Sequence, residues 1–166
     1  MAESTRVIVG VSGSRRDAAV LQRAAAEAAR RGAELVPVIA WTPVGGEPAY
    51  RAHPCPSLAA AWHQAARNRL DKAFSEAFGG YPANLRVSPV VIRGAAGPAL
   101  LEIADRPEDL LVVGAGRRGP LQRLLFARVA RYCLTRAHCT VLTVPADARP
   151  TTRRPRGGHP ELAMAA

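Results

Sequence analysis

Hydrophobic positions in this chain come in two textures. Short, nearly unbroken β-branched runs recur at Arg6–Val11, Glu34–Trp41, 85–92, 109–113 and 139–144. Between them lie longer stretches in which apolar residues return every third or fourth position. The first texture predicts strands buried on both faces of a parallel sheet, and the second predicts amphipathic helices. Helices are expected over Asp17–Arg31, closed by Gly32, and from Ser57 to the Gly79-Gly80 pair. A short one is expected over 99–105, and a last one has its core over 127–136. Ser14 is the expected N-cap of the first helix, with Asp17 as its capping-box partner. Pro37 removes one ladder donor from the second strand, which predicts an irregular flank there. Residues 42–56, with four prolines and Gly45-Gly46, are expected to form a mobile loop or a lid.

Alternating strands and helices define the fold class: α/β, a single doubly wound five-stranded parallel sheet in a Rossmann-like three-layer sandwich. The expected domain covers residues 1–145. From 146 to 166, prolines, glycines and arginines interrupt a tail that cannot offset its ordering entropy, so disorder is expected. With 166 residues, 48% of them hydrophobic, the chain suits one domain with a substantial core.

The net charge is +10, and Lys72 is the only lysine, so arginine carries the positive field. That field favours anionic partners without choosing among them, and genome composition alone produces the same bias. The tail arginines lack interleaved aromatics, so nucleic acid is not the expected partner. No apolar run approaches the ~18 residues of a membrane span, and the first residues lack a secretory pattern. A cytoplasmic protein without a membrane partner is therefore expected. Cys55, Cys133 and Cys139 lack metal or disulfide spacing. His53, His63, His138 and His159 have no acid or nucleophile nearby in sequence, so no catalytic residue is assigned and enzymatic turnover is not expected.

Two glycine-rich turns end strands: Gly10-Val11-Ser12-Gly13-Ser14 after the first and Gly114 onward after the fourth. Turns of this kind bring backbone N–H groups close to an anion, and in doubly wound sheets ligands sit beyond the carboxyl ends of the strands. Gly114, Gly116 and Gly119 satisfy G-x-G-x-x-G. That fingerprint belongs in the first βα unit with an acid about 20 residues on, whereas here it lies in the fourth and the next acid is Asp147. No Walker lysine follows either turn, and the clustered acids of a receiver domain are missing after strand one.

The segments Val7-Ile-Val-Gly-Val-Ser-Gly-Ser14, Val38-Ile-Ala-Trp41, Leu110-Leu-Val-Val-Gly114 and Cys139-Thr-Val-Leu-Thr-Val-Pro145 resemble those of the universal stress protein family, in the same order. The resemblance implies strand order 3-2-1-4-5 and a homodimer through the last strand, at Val141, Leu142, Thr143 and Val144. By family position it implies nucleotide contacts at Gly10, Ser12, Ala40, Val113, Gly114, Arg117, Ala127, Arg128 and Val129. The family's ATP-binding branch carries G-x2-G-x9-G-[ST] after strand four and an Asp after strand one. This chain keeps Gly114, but Arg117 stands at the second glycine, Ala127 and Arg128 at the terminal pair, and Ser12 at the Asp.

A Cβ where bare main chain must approach phosphate costs about 1 kcal/mol or more if positive φ is required. Arg128 would put a long cation where phosphate would lie, either pairing with it or filling the pocket. Two functions follow. The first is a dimeric stress-response or signalling module with weak or absent ATP binding and no required cofactor. The second is a protein for ATP or another adenine nucleotide, with slow hydrolysis at most, using a rebuilt phosphate site.

Overall fold

The computed structural model describes residues 5–14, 16–115 and 120–145, with residues 120–127 given by their backbone alone. The expected tail, Arg117 and the side chain of Ala127 lie outside the described residues. Strands β1 (Arg6–Val11), β2 (Glu34–Trp41), β3 (Val90–Arg93), β4 (Leu110–Gly114) and β5 (Thr140–Val144) form one parallel sheet in the order β3-β2-β1-β4-β5. Helices α1 (Asp17–Arg31) and α3 (Pro56–Phe78) cover one face, and α4 (Ala96–Ile103) and α5 (Pro120–Arg136) the other.

The period of two along each strand divides the core between these faces. Val7, Val9 and Val11 pack with Leu21, Ala24, Leu70 and Phe74 of α1 and α3. Ile8, between them, joins Val38, Leu111, Leu100 and Cys133 on the α4/α5 side. This central strand is thus apolar on both faces, as its unbroken β-branched run predicts. Below it, at the amino ends of the strands, Arg6 forks onto Asp109 at 3.0 and 2.6 Å and also reaches Asp105 at 2.6 Å. The Asp109 side chain is 1% exposed, and its Oδ2 also accepts the Arg106 N–H.

Several boundaries differ from expectation for a common reason. Residues 42–56 contain a fifth helix, α2 (Gly46–Ala52), where a loop was expected. Helix α4 begins at Ala96 rather than 99, and α5, whose core was expected over 127–136, extends back to Pro120. Each contains a proline in its first turn, where the missing N–H has no intrahelical acceptor in any case. Proline and glycine there mark helix beginnings, not interruptions. Arg93 holds α2 against β3: it forks onto Glu47 at 2.9 and 2.8 Å and lies over the Tyr50 ring at 4.3 Å.

Strand β3 is shorter than expected. Its pairing with β2 covers Val38↔Val90 to Trp41↔Arg93, with an isolated bridge at Leu35↔Val87. At that constant offset Pro37 stands opposite Pro89, and the ladder is interrupted there. The irregular flank predicted from Pro37 is therefore present, on the β3 side.

Packing between α4 and α5 is close enough to exclude one carbon atom. A Cβ added to Gly97 would lie 2.7 Å from Cδ1 of Tyr132. Glycine is required here by proximity, with no demand on its φ.

Candidate functional site

The connections leaving β1 and β4 run to opposite faces of the sheet, so a crevice opens beyond the carboxyl ends of these neighbouring strands. A cavity of about 310 Å³ occupies it. Its floor is Gly10, Val11, Val38, Ala40, Val113 and Gly114 from the three central strands. Val20 of α1, Ala96 and Leu100 of α4, Val129 of α5 and Val144 of β5 add apolar walls. Ser12, Ser14, Arg16 and Asp17 bring polar side chains, all from the β1 turn and the start of α1. Such an interior, mostly apolar with polar groups converging at one end, suits a flat organic ligand with a polar appendage.

Of the nine positions singled out from sequence, Gly10, Ser12, Ala40, Val113, Gly114 and Val129 line this one cavity. Arg128 does not. Val129 faces the cavity while Ala130 and Cys133 are buried in the core, and helical spacing then turns Arg128 to solvent, where it is exposed. None of residues 42–56 lines the cavity.

The β1 turn differs most from its sequence reading. Gly13 takes φ +80°, which favours glycine, and the N–H groups of Ser12, Gly13 and Ser14 converge on one point. That point is occupied by the protein itself. Oδ2 of Asp17 accepts all three N–H groups, at 3.1, 2.6 and 2.9 Å. Its Oδ1 lies 2.9 Å from the Ser12 hydroxyl, which is also 2.9 Å from the hydroxyl of Ser14. Asp17 is 5% exposed. Burial pushes its carboxyl above the ordinary range, against the opposing effect of the Ser12 hydroxyl and the three N–H groups.

Two expectations change. Ser14 does not cap α1; the N-cap position is Arg16, without a side-chain cap bond, and Asp17 supplies only the backward half of the capping box, to the Ser14 N–H. The β1 turn, read as a phosphate cradle, already holds an anion. The sequence signal for this is the acid three residues after Ser14, which serves the β1 turn in addition to the start of α1. At the other turn, Ala115 donates to the Val144 carbonyl at 2.8 Å, and residues 116–119 lie outside the described residues.

A doubly wound parallel sheet with an apolar cavity at its switch point defines a Rossmann-like α/β protein. More narrowly, the chain belongs to the universal stress protein family, whose model matches residues 3–145. Among solved structures it is similar to a universal stress protein in complex with cAMP, at 27% identity over 88% of this chain and 100% of that one, with TM-score 0.54. UspA from Lactobacillus plantarum is similar at 21% identity over 87% and 99% of the two chains, with TM-score 0.64. A universal stress protein from Archaeoglobus fulgidus is similar at 23% identity over 85% and 98%, with TM-score 0.59. No curated protein matches the chain.

Proposed function

We propose that this universal stress protein is a stress-response module that binds an adenine nucleoside monophosphate, cyclic or linear, in preference to ATP. The observation that carries the reading is the apolar cavity at the β1/β4 switch point, roomy enough for a base and sugar. The cAMP complex of a protein 27% identical to this one supports the ligand class. Preference for a short phosphate follows from two features. Asp17 has taken the N–H groups of the β1 turn. Arg117, Ala127 and Arg128 stand where the ATP-binding branch has Gly, Gly and Ser or Thr, so a triphosphate tail loses backbone contacts. Each lost hydrogen bond weakens binding by roughly 1 kcal/mol. The test is calorimetric titration of nucleotide-free protein with cAMP, AMP and ATP. The reading expects monophosphate binding at least about tenfold tighter than ATP. No heat from any of the three at millimolar concentration would overturn it, and tighter ATP would overturn the preference.

The protein acts in this reading as a cytoplasmic homodimer. Strand β5 is the outer strand of the sheet, with Val141, Leu142 and Thr143 only partly buried. An apolar edge of this kind is a template for pairing with a second strand. Val141→Arg should halve the sedimenting mass, and an unchanged mass in both proteins would remove the β5 interface. Among the described residues, no helix is long and apolar enough to cross a membrane.

A further inference from the structure

From the geometry around Arg93 we infer that α2 is a salt-released strap: Arg93 holds it shut beside Trp41, and rising ionic strength frees it and lets water reach the Trp41 indole N–H. Helix α2 buries none of its own residues. Its half-buried residues are Gly46, Glu47 and Tyr50, and the last two close on a single side chain of β3. The Arg93 guanidinium forks onto the Glu47 carboxylate and lies over two rings, Tyr50 at 4.3 Å and Trp41 at 5.6 Å. It thereby joins α2 to Trp41, with the contact of Tyr50 on Trp62 beside it. At the start of α2, Gly45 and Gly46 take φ +83° and +85°, consecutive left-handed residues that can absorb a change in chain direction.

The holding fork is open to salt. Its side chains are 35% and 36% exposed, so dissolved ions screen it, whereas the fork of Arg6 ends on a buried carboxylate. Behind Arg93, the closed state leaves a polar group unsatisfied. Trp41 is 8% exposed, and its Nε1 is buried without a hydrogen-bond partner among the described residues. A donor in that condition raises the free energy of the closed state, and admitting water lowers it. The rings of Trp62 and His63 and the Arg93 guanidinium lie around the indole. Trp62 and His63 stand on α3, which Ala66, Leu70 and Phe74 anchor in the core. Arg93 is therefore the part of this enclosure that salt can release. The strap stands apart from the nucleotide cavity, which none of its residues lines.

The test uses the full chain and compares amide hydrogen exchange at about 0.05 M and about 1 M NaCl. Over residues 46–52, exchange in wild type should quicken about twofold to fivefold with salt, the factor that corresponds to an exposed ion pair, while β1 stays unchanged. Glu47→Gln should exchange fast at both concentrations. Trp62→Phe leaves Trp41 as the chain's only tryptophan. Quenching of its fluorescence by acrylamide, which is uncharged, should rise with salt, and adding Glu47→Gln should make it high throughout. If Trp62→Phe fails to fold, exchange of the Trp41 indole N–H in wild type, followed by NMR, reads the same opening. Salt-independent exchange over 46–52 in wild type would overturn the inference, as would a salt response that survives in Glu47→Gln. Loosening of α2 with Trp41 quenching and indole exchange unchanged would overturn it too, because α2 would then fray without uncovering the indole.

Discussion

Arg6→Ala would leave the Asp109 carboxylate buried with, among the described residues, only the Arg106 N–H, because the guanidinium between Asp105 and Asp109 is gone. Breaking a buried pair by removing one partner costs about 3–5 kcal/mol, and urea unfolding should read a loss of that order. Replacing both members with apolar residues should restore much of it. Acid stability follows from other carboxylates. Hydrogen bonds from Arg30 hold Glu27 below the usual carboxylate range, and those from Arg6 do the same for Asp105. A depressed carboxyl contributes stability above its unfolded pKa and loses it as pH falls through the folded one. Asp17, raised by burial, has the opposite sign: its contribution is present at low pH and lost as pH rises through its folded value. Melting temperature should therefore fall less steeply on acidification in Glu27→Gln than in wild type. Among the thiols, Cys55 at the start of α3 is lowered by its bond with Ser57, while burial pushes Cys133 up to about 11. Cys55 should react first with iodoacetamide, as peptide mapping of a time course would show.

At the scale of elements, Gly97→Ala would drive a methyl into the Tyr132 ring. Overpacking of this kind costs about 1–3 kcal/mol, and Tyr132→Ala in the same chain should recover part of it. Arg93→Ala should loosen α2, seen as faster hydrogen exchange over residues 46–52 with little change in the sheet. The strands were legible because burial on both faces leaves unbroken β-branched runs such as Val7 to Val9. Helix α2 was not, because Gly45-Gly46 and Pro48 read as loop when distant contacts are ignored. The fork from Arg93, 46 residues away from Glu47, and the edge contact of Tyr50 with Trp62 hold this short helix in place.

Across the whole molecule, the candidate site was legible as far as the backbone goes. Gly10, Ser12, Ala40, Val113 and Gly114, at the carboxyl ends of β1, β2 and β4, line one cavity together with Val129 of α5. The side-chain part was less legible. Arg128 is two residues from Ala130, and only the rotation of α5 decides which of them meets solvent. Asp17 looks like an ordinary first-turn acid until the chain folds it back over Ser12 to Ser14.

That fold-back means the β1 turn arrives with its own counter-ion. The amides of Ser12, Gly13 and Ser14 demand no borrowed ion and do not collapse for want of one. On the proposed reading, the form without ligand should thus be a durable resting condition in its own right, one that needs no occupant to prop up the scaffold.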